Sequence, residues 1–427
     1  MSSFQRILVS LLLACFLSAA AAAADEQVAM RDWLRAGLTA ACPAGLDDPE
    51  ALAAALDGAE VVDVEDRGNA SGPNRRRVTL RDPTQGELTI TATRRGAVLQ
   101  SLSLEAYREA RPVMMLRSGG DCAVIMARAI AYDVLGLAVE LVHLDADLLP
   151  TETREPLNPP VPDGTDPGGV TVAQVDSGVN YLLPAIAERL ARDETGEILG
   201  YDYWELDRRP FDGNPARSAF FPIRHGTTTA SVLLREAPDV RLLPYRYPRP
   251  EMSRMARLVE EAESAGAGII AMALGSRDYE EWRAFQRAAE VRPDMLFIVS
   301  AGNDGLNIDE APLYPAILTL ENFLVVTSSD AFGRLAPGSN WGPRSVDLMV
   351  PAEGIEVIDH RGALGKASGS SYAVPRVAAL AARIKARNPS WTAPALKRAI
   401  LERAVPPRSR GRSPIRYGWI PNPADDG

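Results

Sequence analysis

Histidine is nearly absent, with 3 in 427 residues, so any chemistry that needs an imidazole has few places to reside. Cysteine is equally rare at 3, and none of these stands in a pattern suited to ligating a metal. Long apolar runs are missing as well. Beyond the first residues nothing approaches the roughly 20 consecutive apolar positions of a membrane helix, so no membrane span is expected in the mature protein. No basic stripe exists either. The formal charge of -10 is spread along the chain, which argues against a nucleic-acid partner or an anionic membrane surface.

What is present is the composition of an ordinary globular protein, 46% hydrophobic and 24% charged, in a chain long enough that two domains are expected. Residues 1–24 stand apart. Arg6 is their one charge, an apolar run from Ile7 to Leu17 follows, and "SAAAAAADE" offers small-residue cleavage positions near Ala24. That is the pattern of a secretory signal peptide, so a secreted or periplasmic protein is expected. "LLAC" ending at Cys15 has some likeness to a bacterial lipoprotein cleavage box, which leaves a lipid anchor as the alternative. Removal of the signal leaves Cys42 and Cys122, an even pair bound for an oxidising compartment, and a disulfide between them is expected over two buried thiols.

Residues 25–149 read as a small α+β domain. A helical period in "VAMRDWLRAGLTAA" precedes the alternating runs "AEVVDVED", "RRRVTLRD", "ELTITATR" and "AVLQSLSLE", with a further hairpin in "CAVIMARAIAYD" and "LAVELVHLDAD". His143 alternates with apolar neighbours and reads as a half-buried strand residue. Prolines and glycines across 150–169 suggest a linker or an extended arm. From 170 to about 405 the grammar changes to alternating strands and helices. "VTVAQV", "IIAMAL", "MLFIVS" and "FLVVTS" are nearly continuous apolar runs, as expected of strands buried on both faces of a mainly parallel, doubly wound α/β sheet. The tail, 406–427, is rich in Pro, Arg and Ser and reads as a loosely held end that Trp419 pins down.

Functional groups in such sheets collect beyond the carboxyl ends of the strands. Asp176 closes "VTVAQVD", Asn303 follows "MLFIVSAG", His225 opens the helix of "HGTTTASVLLREA", and Ser371 opens that of "SSYAVPRVAALAARI". Each alone has a plain explanation as a cap or turn former. Together they supply a nucleophile, a base, a carboxylate to orient the base, and a donor for an oxyanion.

These residues closely resemble the subtilisin-like serine proteases. "VAQVDSGV", "HGTTTAS", "AGN" and "GSSYAVP" are similar to that family's aspartate, histidine, oxyanion-hole and serine motifs, in the same order. The resemblance implies a subtilisin-like fold and hydrolysis of polypeptides through an acyl-enzyme. It implies that Ser371 is the nucleophile and Ser370 a small spacer. His225 would be the base, Asp176 its orienting partner, and Asn303 with the Ser371 backbone N–H the oxyanion site. It further implies that substrate adds as a strand beside Ala273, Leu274 and Gly275. Ser300, Ala301 and Gly302 would wall the primary pocket, with Leu313 near its floor, which favours apolar or small residues before the scissile bond. No cofactor is required; similar acidic loops bind calcium in some relatives, so Asp202, Asp207 and Asp212 in "GYDYWELDRRPFDG" are candidate ligands, although the loop has no EF-hand spacing and also reads as a solvated acidic stretch.

The chain departs from the family pattern at Thr228, Tyr372 and Arg376, where a second histidine, a methionine and a histidine are usual. Many secreted relatives carry a segment before the protease that assists folding and is cut away. Residues 25–149 suit that role or that of a retained recognition domain. Two other readings stay open: a noncatalytic peptide-binding protein that keeps the scaffold, and an esterase or transpeptidase using the same triad.

Overall fold

The computed structural model describes residues 27–42, 46–68, 74–407 and 413–425. The expected signal peptide, Cys15 included, lies outside the described residues. Two units are evident, one running up to Leu157 and taking in Ser218–Phe221, the other holding Asn158–Arg217 and the chain from Pro222 onward.

In the first unit a helix, α1 (27–42), and a short α2 (Pro49–Ala54) precede eight strands. These are β1 (Glu60–Arg67), β2 (Asn74–Asp82), β3 (Gly86–Arg95), β4 (Val98–Arg108), β5 (Arg111–Gly119), β6 (Val124–Tyr132), β7 (Ala138–Leu144) and β8 (Pro150–Pro156). Every neighbour in sequence is a neighbour in the sheet, so the sheet is an antiparallel meander. Its alternation is strict: in β3, Leu88, Ile90 and Ala92 are buried while the residues between them are half exposed. Met30, Trp33 and Leu34 of α1 pack on this face with Val78, Leu80 and Leu104, joining the helix's apolar stripe to the sheet's apolar side.

Strand β5 and strand β8 go beyond the sequence expectation. The expected linker at 150–169 begins as strand, because Pro150 and Pro156 stand at its ends and at the sheet edge, where a missing N–H costs nothing. The chain from 158 is an arm packed on the second unit. Pro159 and Pro162 carbonyls accept hydrogen bonds from Tyr181 Oη at 2.6 Å and Arg192 Nη2 at 2.8 Å.

Cys42 and Cys122 form the expected disulfide, with Cα atoms 6.1 Å apart across 80 residues of sequence. A crosslink closing a loop of that length is worth roughly 4.5 kcal/mol on a chain-entropy account. The Cys42→Ser/Cys122→Ser pair of substitutions is therefore expected to lower the denaturant midpoint of this unit. Equal midpoints in urea for wild type and the double variant would refute that contribution.

The second unit is built on strands β9 (Val170–Asp176), β10 (Tyr201–Asp202), β11 (Val240–Arg246), β12 (Ile269–Met272), β13 (Leu296–Ser300), β14 (Phe323–Ser329) and β15 (Leu348–Pro351). A hairpin of β16 (Ile355–Ile358) and β17 (Leu364–Ala367) lies apart, and β18 (Gly418–Trp419) comes last. The main sheet runs β10-β11-β9-β12-β13-β14-β15-β18 with all pairs parallel. Alternate residues face opposite layers. Leu296 and Ile298 join the cluster containing α4 (Gly226–Glu236), α7 (Ser370–Arg387) and α8 (Ala393–Leu401). Phe297 and Val299 join the one containing α5 (Met255–Ser264) and α6 (Arg283–Glu290). The tail is held more firmly than its composition suggests. Trp419 is buried, pairs along β15, and lays its indole on Gly333, so the end of the chain completes the sheet.

Candidate functional site

The carboxyl ends of β9 and β13 and the amino ends of α4 and α7 assemble the expected groups. Asp176 ends β9 almost fully buried, and each of its oxygens is engaged. Oδ1 accepts from Ser177 N at 2.7 Å and lies 2.7 Å from His225 Nδ1. Oδ2 accepts from Thr229 Oγ1 at 3.0 Å and lies 2.9 Å from the same imidazole nitrogen. With Nδ1–H directed at the carboxylate, the neutral ring presents Nε2 as an acceptor. Burial pushes the His225 pKa down, but the Asp176 charge and hydrogen bond outweigh it, helped by Asp212, and the net displacement is upward.

Helix α4 comes close enough to β9 because Gly226 has no side chain: a Cβ there would sit 1.8 Å from Gly178 O. Gln174, a polar residue inside the apolar strand, donates to Gly226 O at 2.7 Å and to Thr229 Oγ1 at 3.0 Å, tying the helix start to the sheet. Asp212, fully buried, accepts from Ser177 Oγ at 2.6 Å and from Thr227 N at 2.9 Å. Burial works against its ionisation, yet the His360 imidazole, 3.8 Å away, and the hydroxyls of Ser177 and Thr227 hold its carboxyl below the usual range. Sequence reasoning missed these supports, although a glutamine interrupting a buried apolar strand was a visible signal.

The two serines at the start of α7 differ in their surroundings. Ser370, read from sequence as a spacer, is wholly buried, and its hydroxyl lies 2.7 Å from Ser300 Oγ and donates to Asn303 Oδ1 at 2.9 Å. Its backbone N–H also donates to Asn303 Oδ1, at 2.8 Å. Both bonds fix the Asn303 amide with its oxygen toward the helix, which leaves Nδ2 as the outward donor. Ser371 is half-buried, and its hydroxyl has no hydrogen bond among the described residues. Gly369 (φ 124°) makes the turn that brings both serines to the start of α7.

Two of the three departures from the family pattern, Thr228 and Tyr372, pair with each other. Thr228 Oγ1 and Tyr372 Oη lie 3.1 Å apart, and the Tyr372 ring stands 6.0 Å from the His225 ring. Arg376 is buried, donating to Glu236 Oε1 at 2.8 Å and to Pro351 O at 2.5 Å. Each unusual residue thus has a partner suited to it.

Of the substrate-binding candidates, Ala273, Leu274 and Gly275 continue from β12, while Ser300, Ala301 and Gly302 lead from β13 to Asn303. Leu313 approaches both segments: a Cβ built on Gly275 would meet its side chain at 3.5 Å and one on Gly302 at 2.6 Å. The three aspartates of the acidic loop each have protein partners of their own. Asp202 accepts from Arg246 at 2.8 Å, Asp207 from Arg209 and Asn158 at 2.9 Å, and Asp212 as above. Among the described residues no cluster of three or more acidic, histidine or cysteine side chains is placed to hold a metal. Among the same residues no helix is long and apolar enough to cross a membrane.

Comparison with known proteins agrees with this architecture. The alkaline serine exoprotease A of Vibrio alginolyticus is 28% identical over 253 residues, which is 57% of this chain and 42% of that protein. Subtilisin BL of Lederbergia lenta is 26% identical over 144 residues, 34% of this chain and 51% of its own length. The chain thus spans about half the length of these relatives or less. A structure of the subtilase cytotoxin SubAB assembly superposes with a TM-score of 0.50 at 20% identity, covering 61% of this chain and 89% of that one. The A-subunit of an AB5 toxin from E. coli gives 0.50 at 21%, covering 61% and 92%, and both likenesses concern the fold. Residues 168–419, more than half of the chain and all four candidate groups among them, match the subtilase family, and the chain belongs to it.

Proposed function

We propose that this protein is a secreted serine endopeptidase that cuts polypeptides through an acyl-enzyme. The observation that carries this reading is the Asp176 carboxylate bound to His225 Nδ1, with the His225 ring 6.0 Å from that of Tyr372, the residue that follows Ser371 at the start of α7. In the reaction Ser371 Oγ attacks the scissile carbonyl carbon while His225 Nε2 takes the hydroxyl proton. Asn303 Nδ2 and the Ser371 N–H bind the resulting oxyanion, strengthened by the positive end of α7. The intermediate collapses, the C–N bond breaks, and His225 returns the proton to the leaving amine. Water then repeats the sequence to free the acyl group. Asp176 holds the tautomer and stabilises the imidazolium.

Labelling the purified chain with a fluorophosphonate, followed by intact mass, tests the reading. One adduct at Ser371 with hydrolysis of a casein substrate is the expected result, and the same spectrum shows whether residues 25–157 have been removed. Mature protein with that segment removed that takes no label and cuts no casein would favour the noncatalytic scaffold. The pH profile offers a second check. His225 must be neutral to accept a proton, and its pKa is raised, so kcat/KM should climb with pH through a midpoint above the ordinary histidine value of about 6.5. A midpoint at or below that value would contradict the Asp176 coupling.

A further inference from the structure

The family resemblance puts the side chain next to the attacked carbonyl beside the strand ends at Gly275 and Gly302, the second of which directly precedes Asn303, the oxyanion donor of the proposed mechanism. Gly275 and Gly302 carry no Cβ, which leaves room between them. Here Leu313 occupies that room. A Cβ built on Gly302 would lie 2.6 Å from Leu313 Cδ2, and one on Gly275 would lie 3.6 Å from the same methyl. A single methyl is in packing range of both walls at once.

Neither wall is free to spread. Asn340, 1% exposed, donates from Nδ2 to Ala301 O at 2.8 Å and accepts at Oδ1 from Asp304 N and Leu306 N, both at 2.9 Å. The other side is tied to Leu313's own neighbour, since Ser276 and Tyr314 exchange backbone hydrogen bonds at 2.9 and 2.8 Å. Leu313 is moreover packed against the core layer that contains Phe297 and Val299. Retracting it would disturb that layer, and protein interiors resist such change.

We propose that Leu313 closes the acyl-side pocket, so that this protein cuts after glycine or alanine and rejects leucine, phenylalanine and larger residues. The inference rests on the endopeptidase reading and narrows its substrate class. Quenched fluorescent peptides that differ only in the residue before the scissile bond, Gly, Ala, Leu or Phe, test it with wild type and Leu313→Gly. Wild type should favour Ala or Gly over Phe by about 100-fold in kcat/KM, the scale on which a few misplaced methylenes are rejected. Leu313→Gly should raise the Phe-to-Ala ratio at least about tenfold. Wild type that cuts Phe or Leu peptides as well as Ala ones, while still taking the fluorophosphonate label, overturns this inference and leaves the enzyme reading intact. Absence of label on the mature protein overturns both. The wild-type profile decides the matter even where Leu313→Gly fails to fold, and Leu313→Ala supplies a milder opening with the same expected direction.

Discussion

Replacement of Ser371 by alanine is expected to cut peptide turnover by about a millionfold, the scale of loss that removing the nucleophile produces in subtilisin, and to abolish the fluorophosphonate adduct. The fall is so large because serine, histidine and aspartate act as one unit: with no hydroxyl to deprotonate, the His225–Asp176 pair has nothing to activate. Ser370→Ala is the telling control. Its hydroxyl is buried between Ser300 and Asn303, so its loss should leave the adduct in place and lower turnover only through a less firmly oriented Asn303 amide. Initial rates on a fluorescent casein and intact masses, taken on both variants, separate the two serines. An adduct that persists in Ser371→Ala and vanishes in Ser370→Ala would reverse the assignment.

The parts of this molecule that were legible in its sequence are those set by local pattern. Apolar runs such as "MLFIVS" announce a strand buried on both faces, and β13 occupies that stretch. The alternation in "ELTITATR" gives β3, and the helical period after "GSS" gives α7. Asp176, His225, Asn303 and Ser371 stood at strand ends and helix starts, where chemistry gathers in α/β sheets. Long-range pairings were hidden. β11, second from the sheet's edge, carries Pro244 in "VRLLPYR" and lacks the continuous apolar run that announces β13. The bond between Thr228 and Tyr372 spans 144 residues, so no local pattern could announce that the two unusual residues answer each other. The partnership of Ser370 with Ser300 and Asn303 was hidden for the same reason, because hydrogen bonds across layers leave no periodic trace.

The Asn303 amide is where these levels meet, and its removal is the second large expected effect. Two donors from Ser370 hold Oδ1, so Nδ2 is turned outward before any substrate arrives and pays no reorganisation cost when the carbonyl oxygen gains charge. Such a donor acts mainly on the tetrahedral intermediate and little on the ground-state carbonyl. Asn303→Ala should therefore lower kcat by roughly 100- to 1,000-fold with KM nearly unchanged. Asn303→Asp should be worse than alanine, because an anionic oxygen would face the developing oxyanion where the amide N–H had stood. Steady-state kinetics on one Ala-containing peptide resolves the three enzymes. If KM rose in Asn303→Ala while kcat held, the amide would be serving ground-state binding, and the oxyanion would have to be carried by the Ser371 N–H and the α7 dipole.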